Sequence, residues 1–199
     1  MKKLIILFVC AAAFGIQAQD FDKNLATARS SYSAGDLENA RFATEQLLRD
    51  LDIAIGKEIL KMLPTEIATL KADTKNDNLT GGAGYAGGLF VQRSYGDANR
   101  AADIDIINNS PVMNSVQAIL SMPLLGGMVR DENQKQIKVQ GYKALLNRTI
   151  DSETSKTNYE LQVPMNNTLL TLKIENTTES EITQVANSLP LAKIAQIAQ

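Results

Sequence analysis

Two carboxylates spaced two residues apart, Asp103 and Asp105 in Ala102-Asp103-Ile104-Asp105-Ile106, are the side chains best placed to do chemistry. Ala102, Ile104 and Ile106 alternate with them, the pattern of a half-buried antiparallel strand that sends both acids to one face. The strand rise sets their Cα atoms roughly 6.5–7 Å apart. Carboxylate pairs at such a distance suit glycoside hydrolysis. The competing reading is a solvated sheet face, with Arg93 and Arg100 as neutralising partners.

Composition removes most other chemistry. The chain has no histidine and no tryptophan, and its one cysteine, Cys10, lies in an apolar N-terminal run. Once that run is removed, disulfides, thiol nucleophiles, thiolate or imidazole metal ligands and Ser-His-Asp triads are excluded by absence. Gly82-Ala83-Gly84-Tyr85-Ala86-Gly87 spells the dinucleotide fingerprint, which works only between a strand and a helix. Here it follows polar sequence and precedes strand-patterned sequence. Asp73-x-Lys75-x-Asp77 resembles a calcium loop but carries a cation at a ligand position, and the register from Asn76 has Gly87 where a bidentate Glu is needed. No catalytic residue, cofactor or metal is therefore assigned.

The candidate interaction surface is Tyr85, Phe90, Arg93 and Tyr95, side chains beside backbone that the glycines leave accessible. The alternative is that these aromatic groups pack where a helical part meets a sheet. Formal net charge is −2, and no Lys/Arg cluster stands out. Nucleic acid and anionic lipid are poor partners for such a surface, because phosphate binding needs a concentrated basic face.

The elements that position these residues follow from periodicity. Residues 1–18 read as a secretory signal: Lys2-Lys3, the apolar run Leu4 to Phe14, then Gly15-Ile16-Gln17-Ala18, too short to span a bilayer. Cys10 follows Phe8-Val9 rather than a small residue, which argues against lipid attachment. No transmembrane helix is expected after signal removal.

Phe21, Leu25, Ala28 and Tyr32 share one helical face; Gly35 ends that helix and Asp36 caps the next. A second helix from Leu37 to about Ala54 should bury Leu37, Ala40, Ala43, Leu47, Leu48 and Leu51. Arg41, Glu45 and Arg49 form its outer ladder. A short third helix is expected after Gly56, stopped by Pro64. Residues 19–70 thus form a helical hairpin region, 71–88 a polar and glycine-rich linker, and 89–199 an α+β domain.

In that domain strands are expected at Leu89–Tyr95, Ala101–Ile107, Gln136–Leu146, Asn158–Val163 and Thr168–Ile174. A helix from Val112 to Leu120 follows Ser110-Pro111, and Thr178 to Glu181 is a capping box that opens the final helices. The fold class is α+β: a helical hairpin plus third helix, then an antiparallel sheet of about five strands in β-β-α-β-β-β-α order, with helices packed on one face.

Ala28, Tyr32, Gly35-Asp36, Ala40 and Ala43 resemble one tetratricopeptide-type hairpin, in which small residues let two helices approach closely. No second copy recurs at a fixed period, so a lone hairpin is expected. Ala54-Ile55-Gly56-Lys57-Glu58-Ile59-Leu60, Ile107-Asn108-Asn109-Ser110-Pro111, Val139-Gln140-Gly141-Tyr142-Lys143-Ala144 and Tyr159-Glu160-Leu161-Gln162-Val163-Pro164 resemble secreted proteins of Bacteroidota with no assigned activity. The resemblance covers most of the exported chain. It implies export to the periplasm or envelope of a Gram-negative bacterium and leaves the activity open; more distantly, the V-x-G-x-x-A strand, the meander and the final helix resemble envelope α+β modules that bind or sense rather than catalyse. The expected function is a non-enzymatic exported module binding a protein, peptide or small ligand. The rivals are a hydrolase using Asp103 and Asp105, and a structural or membrane-apposed part contacting through Met122–Met128 or the C-terminal helices.

Overall fold

The computed structural model describes residues 13–82, 88–122 and 133–198. Helices α1 (Ala13–Ser33) and α2 (Leu37–Met62) form the hairpin. Gly35 takes a positive φ of 78°, and the Asp36 carboxylate accepts the Asn39 amide at 3.1 Å, closing one helix and opening the other. The expected third helix is the end of α2, which runs unbroken through Gly56. Gly56 marks a close approach instead of a stop: a Cβ there would lie 2.1 Å from Leu79 Cδ1 and 3.0 Å from Leu89 Cδ1. Propensity alone reads that glycine as a break.

After α2 come a two-stranded ribbon, β1 (Glu66–Ile67) with β2 (Leu70–Lys71), and a single turn at Thr74–Asn76. Then β3 (Asn78–Thr80) pairs with β4 (Phe90–Asp97), so part of the expected linker is an edge strand. β5 (Arg100–Asn108), α3 (Met113–Ser121), β6 (Gln134–Val139), β7 (Tyr142–Ile150), β8 (Thr157–Met165) and β9 (Thr168–Ile174) follow, with α4 (Glu179–Ser188) and α5 (Leu191–Ile197) at the end. The sheet is antiparallel and seven-stranded, in the order β3-β4-β5-β9-β8-β7-β6. It exceeds the expected five by two: β3 is one, and the other arises because Gln136–Leu146 folds back at Gln140-Gly141, both at positive φ, the geometry of a tight hairpin turn. The fold class is α+β, as the alternating strands imply.

The core lies on one face of this sheet. Ile104, Leu172, Leu161 and Leu146 stand side by side across β5, β9, β8 and β7, all buried. Ile182, Leu189, Leu191 and Ile194 of the C-terminal helices cover that row, and Ile59 and Leu63 at the end of α2 extend it under Leu89 and Val91. Thr178 caps α4 by accepting the Glu181 amide at 3.2 Å, as the capping box requires. Asn108 Nδ2 and Thr168 Oγ1 both donate to the Ala198 carbonyl and so tie the C-cap of α5 to the sheet. Helices do not keep to one face. Leu145, next to core-facing Leu146, points the opposite way and packs with Val116 and Leu120 of α3.

Candidate interaction surface

Among the residues expected to form an interaction surface, Tyr85 lies outside the described residues. Phe90 is half-buried. Arg93 and Tyr95 alternate with it along β4 and so face the core, at 6% and 1% exposure. Burial removes both from any exposed surface and makes them the joint between hairpin and sheet. Arg93 donates to both Asp77 oxygens, from Nε at 2.8 Å and Nη2 at 2.5 Å, and from Nη1 to the Leu60 and Leu63 carbonyls at 3.0 and 3.3 Å. One guanidinium thereby joins the residue that leads into β3, strand β4 and the C-terminal end of α2, whose last carbonyls lack intrahelical donors. Its hydrogen bonds to Asp77 raise the Arg93 pKa against the opposing effect of burial. Beside it the Tyr95 hydroxyl donates to the Pro64 carbonyl at 3.0 Å, and burial pushes its pKa up to about 12. Asp77 is thus held by Arg93 and is no member of a calcium loop.

The glycine stretch begins by docking on α2. Gly82 N–H donates to Asp52 Oδ2 at 3.0 Å, and a Cβ on Gly81 would lie 2.5 Å from Asp52 Cβ and 3.0 Å from the Arg49 carbonyl. Only glycine admits backbone so near the helix. The remaining fingerprint glycines, Gly84 and Gly87, lie outside the described residues. The next described element is strand β4, not the helix a phosphate site needs.

Asp103 and Asp105 both emerge on the sheet face away from the main core. Ser94 Oγ donates to Asp103 at 2.6 Å and Gln92 Nε2 to Asp105 at 2.9 Å. Lys173 Nζ lies 3.8 Å from Asp105 and 3.9 Å from Glu160. The neutralising cation is therefore Lys173; Arg93 faces the other side, and Arg100 pairs with Glu181 at 2.7 Å. Burial pushes the Asp105 pKa up, with Lys173 and Gln92 opposing and Asp103 and Glu160 reinforcing. An open hollow of about 290 Å³ is lined by Asp103, Glu160 and Lys173, but Asp105 does not line it. Asp103 and Asp105 share a face without sharing a cavity. Among the described residues no group of three or more acids, histidines or cysteines is arranged to hold a metal ion.

The surface that stands out is on the hairpin. Leu37, Leu48 and Leu51, expected in its core, are 63%, 48% and 49% exposed, and Leu25 and Tyr32 of α1 are 50% and 71% exposed. The seam between the helices is narrower than the apolar pattern: Ala40 and Ala43 are buried, and Asn24 and Asn39 bridge to Asp50 and Ser31. At about 100° per residue, Leu25 and Tyr32 sit about a quarter turn from the seam on α1, and Leu37, Leu48 and Leu51 the same on α2. The sense of rotation is equal. Because the helices are antiparallel, both sets lie on the same side of the hairpin and form one stripe, with exposed Arg41 and Thr44 between Leu37 and Leu48. On α2 that stripe continues into Ile55 and Ile59, which pack on the sheet core. The apolar face that seats α2 on the sheet thus runs on toward the hairpin tip, uncovered among the described residues. A sequence signal existed: the apolar positions of α2 span more of its circumference than one small-residue seam against α1 can bury.

Other large apolar side chains are exposed away from the stripe, Phe42 on α2, Val112 before α3 and Ile150 at the end of β7. C-terminal Leu191 and Ile194 are fully buried, so those helices present no apolar face to a membrane. Among the described residues no helix is long and apolar enough to cross one. Met122 is 64% exposed, and Pro123–Met128 lie outside the described residues. Compared with known proteins, the chain matches no protein-family model, no curated protein and no solved structure.

Proposed function

We propose that the protein is an exported, non-enzymatic envelope module of the Bacteroidota type that holds a partner protein on the apolar face of its helical hairpin. The observation that carries this reading is the set Leu25, Tyr32, Leu37, Leu48 and Leu51, about half exposed or more on a hairpin that meets the sheet chiefly through α2. Monomeric proteins rarely leave contiguous apolar patches beyond about 300–600 Å² uncovered, and patches of that size mark interaction sites. The signal-like residues 1–18 support export, and the separation of Asp105 from the hollow beside Asp103 favours binding over hydrolysis.

The test is a photo-crosslinking side chain placed at Leu48, with the same group at Lys173 on the sheet as control. In living cells the Leu48 position should give a discrete protein adduct and Lys173 none. N-terminal sequencing of the same material should begin at Gln19. An absent Leu48 adduct, or turnover of a glycoside lost on Asp103→Asn, contradicts the reading.

A further inference from the structure

We propose that strand β6, on the free edge of the sheet, is a second recognition site that takes up an acidic extended segment of a partner protein as an added strand. The site is separate from the hairpin face. β6 stands last in the sheet order, and among the described residues no strand pairs with its outer side. Val139 and Tyr142 flank the two-residue turn Gln140-Gly141, where the flanking residues exchange both backbone hydrogen bonds. Bonding then alternates along the ladder, which turns the N–H and C=O groups of Gln134, Gln136 and Lys138 away from β7 and toward the open edge. The other edge has no such row, because β3 is three residues long and its Leu79 fills the space beside Gly56 of α2.

Charge identifies the occupant. Residues 134–150 carry Lys135, Lys138, Lys143 and Arg148, all exposed, and no acid, although the chain has 22 acidic side chains against 20 basic. Lys138 and Lys143 stand directly opposite each other, a like-charge pair that costs the β6–β7 hairpin stability on its own. Lys143 Nζ donates to the Leu120 carbonyl at 3.4 Å, and Lys135 pairs with Glu179 at 2.6 Å. Lys138 and Arg148 have no carboxylate partner among the described residues. On the core side Lys135 and Arg148 line a hollow of about 280 Å³ together with Leu146 and Tyr159, while Lys138 and Lys143 lie on the α3 side.

These cations straddle the edge and form no single basic face. That placement matches a strand, whose side chains alternate to both sides, and not the phosphates of a nucleic acid or a lipid surface. Lys135 and Lys138 are three residues apart on opposite faces, so the fitting segment carries acids three apart. One acid lies beside Lys135 and the hollow of Arg148, the other beside Lys138 and Lys143. Edge lysines ordinarily guard against pairing. Here they exclude a second β6, which brings only more lysines, and leave an acidic strand favoured.

The experiment measures fluorescence anisotropy of a labelled peptide, Thr-Val-Glu-Thr-Val-Glu-Thr-Val, with the exported, processed protein. The peptide should bind saturably at about 100 µM or below. Replacing both glutamates by glutamine, or setting them two apart so that both fall on one face, should weaken binding at least about fivefold. Lys138→Glu should weaken it about tenfold, and a peptide with lysines for glutamates should bind Lys135→Glu/Lys138→Glu to within about threefold of the original pair. Amide exchange at Gln134, Gln136 and Lys138 of the parent should slow when the peptide binds. Gln136→Pro leaves every charge in place and removes an outward N–H where an edge strand tolerates proline; it should abolish binding while the circular dichroism melt stays cooperative. No saturable binding, equal binding of the glutamine peptide, or amide exchange unchanged by the bound peptide each overturns the inference. Binding that survives Gln136→Pro overturns it too, since charge alone would then hold the peptide. Should Gln136→Pro melt without cooperativity, the exchange rates of the parent decide.

Discussion

Asp77→Ala removes the carboxylate that pairs with the buried Arg93 guanidinium, and the geometry sets the size of the loss. The Arg93 side chain is 7% exposed and that of Asp77 16%, so water replaces little of what is removed. Breaking a buried pair from one side typically costs about 3–5 kcal/mol, because the remaining charge stays buried without a counter-charge. The double variant Asp77→Ala/Arg93→Met removes both charges. It should lose only about 1–2 kcal/mol, since what remains is the loss of a donor to the Leu60 and Leu63 carbonyls at 3.0 and 3.3 Å. Urea unfolding followed by circular dichroism measures this, as the chain has no tryptophan to report by fluorescence. The midpoint should fall with the slope unchanged. A loss below about 1 kcal/mol for Asp77→Ala, or one that 1 M salt abolishes, would mean a solvated surface pair and refute the reasoning.

Gly56→Ala should destabilise by about 1–2 kcal/mol despite the better helix propensity of alanine, because the new methyl meets Leu79 Cδ1 at 2.1 Å; adding Leu79→Ala should restore most of the loss in the same urea series. The β1–β2 turn places Ala68 and Thr69 at φ 45° and 68°, where a β-branched residue is strained, so Ala68→Asn/Thr69→Gly should raise stability by about 1–2 kcal/mol. Asp105 has a raised pKa in the folded state, so its charge opposes folding above that pKa, and stability falls as pH rises from the unfolded toward the folded value. Asp105→Asn should therefore melt higher than the parent at pH 7, and the difference should vanish below about pH 4, where the unfolded carboxyl is also protonated; an equal melt at pH 7 contradicts the burial of that acid.

The sheet was legible because its strands alternate. Ala102, Ile104 and Ile106 against Asp103 and Asp105 fixed both the strand and its buried side, and the Thr178 box fixed the start of α4. Three features were hidden for distinct physical reasons. Gly56 looked like a stop because local propensity carries no trace of the leucine that fills its missing Cβ. Asn78–Thr80 looked like linker because an exposed edge strand has little apolar alternation to announce it. Arg93 looked like a surface cation because its acceptors, Asp77 and the carbonyls of Leu60 and Leu63, are distant in sequence. The hairpin stripe departs in the opposite direction: hydrophobicity places Leu37, Leu48 and Leu51 in the core, yet nothing among the described residues covers them.

Oxidative footprinting of Tyr32 tests the central claim most directly, because this side chain is 71% exposed on the isolated chain and lies on the stripe. Tyr32 in the protein at its cellular concentration should be protected several-fold relative to the Leu48→Asp variant, while Tyr159 on the sheet reacts equally in both. Equal oxidation of Tyr32 in the two proteins would contradict the account, since it would leave the hairpin face bare in the place where it is meant to be covered.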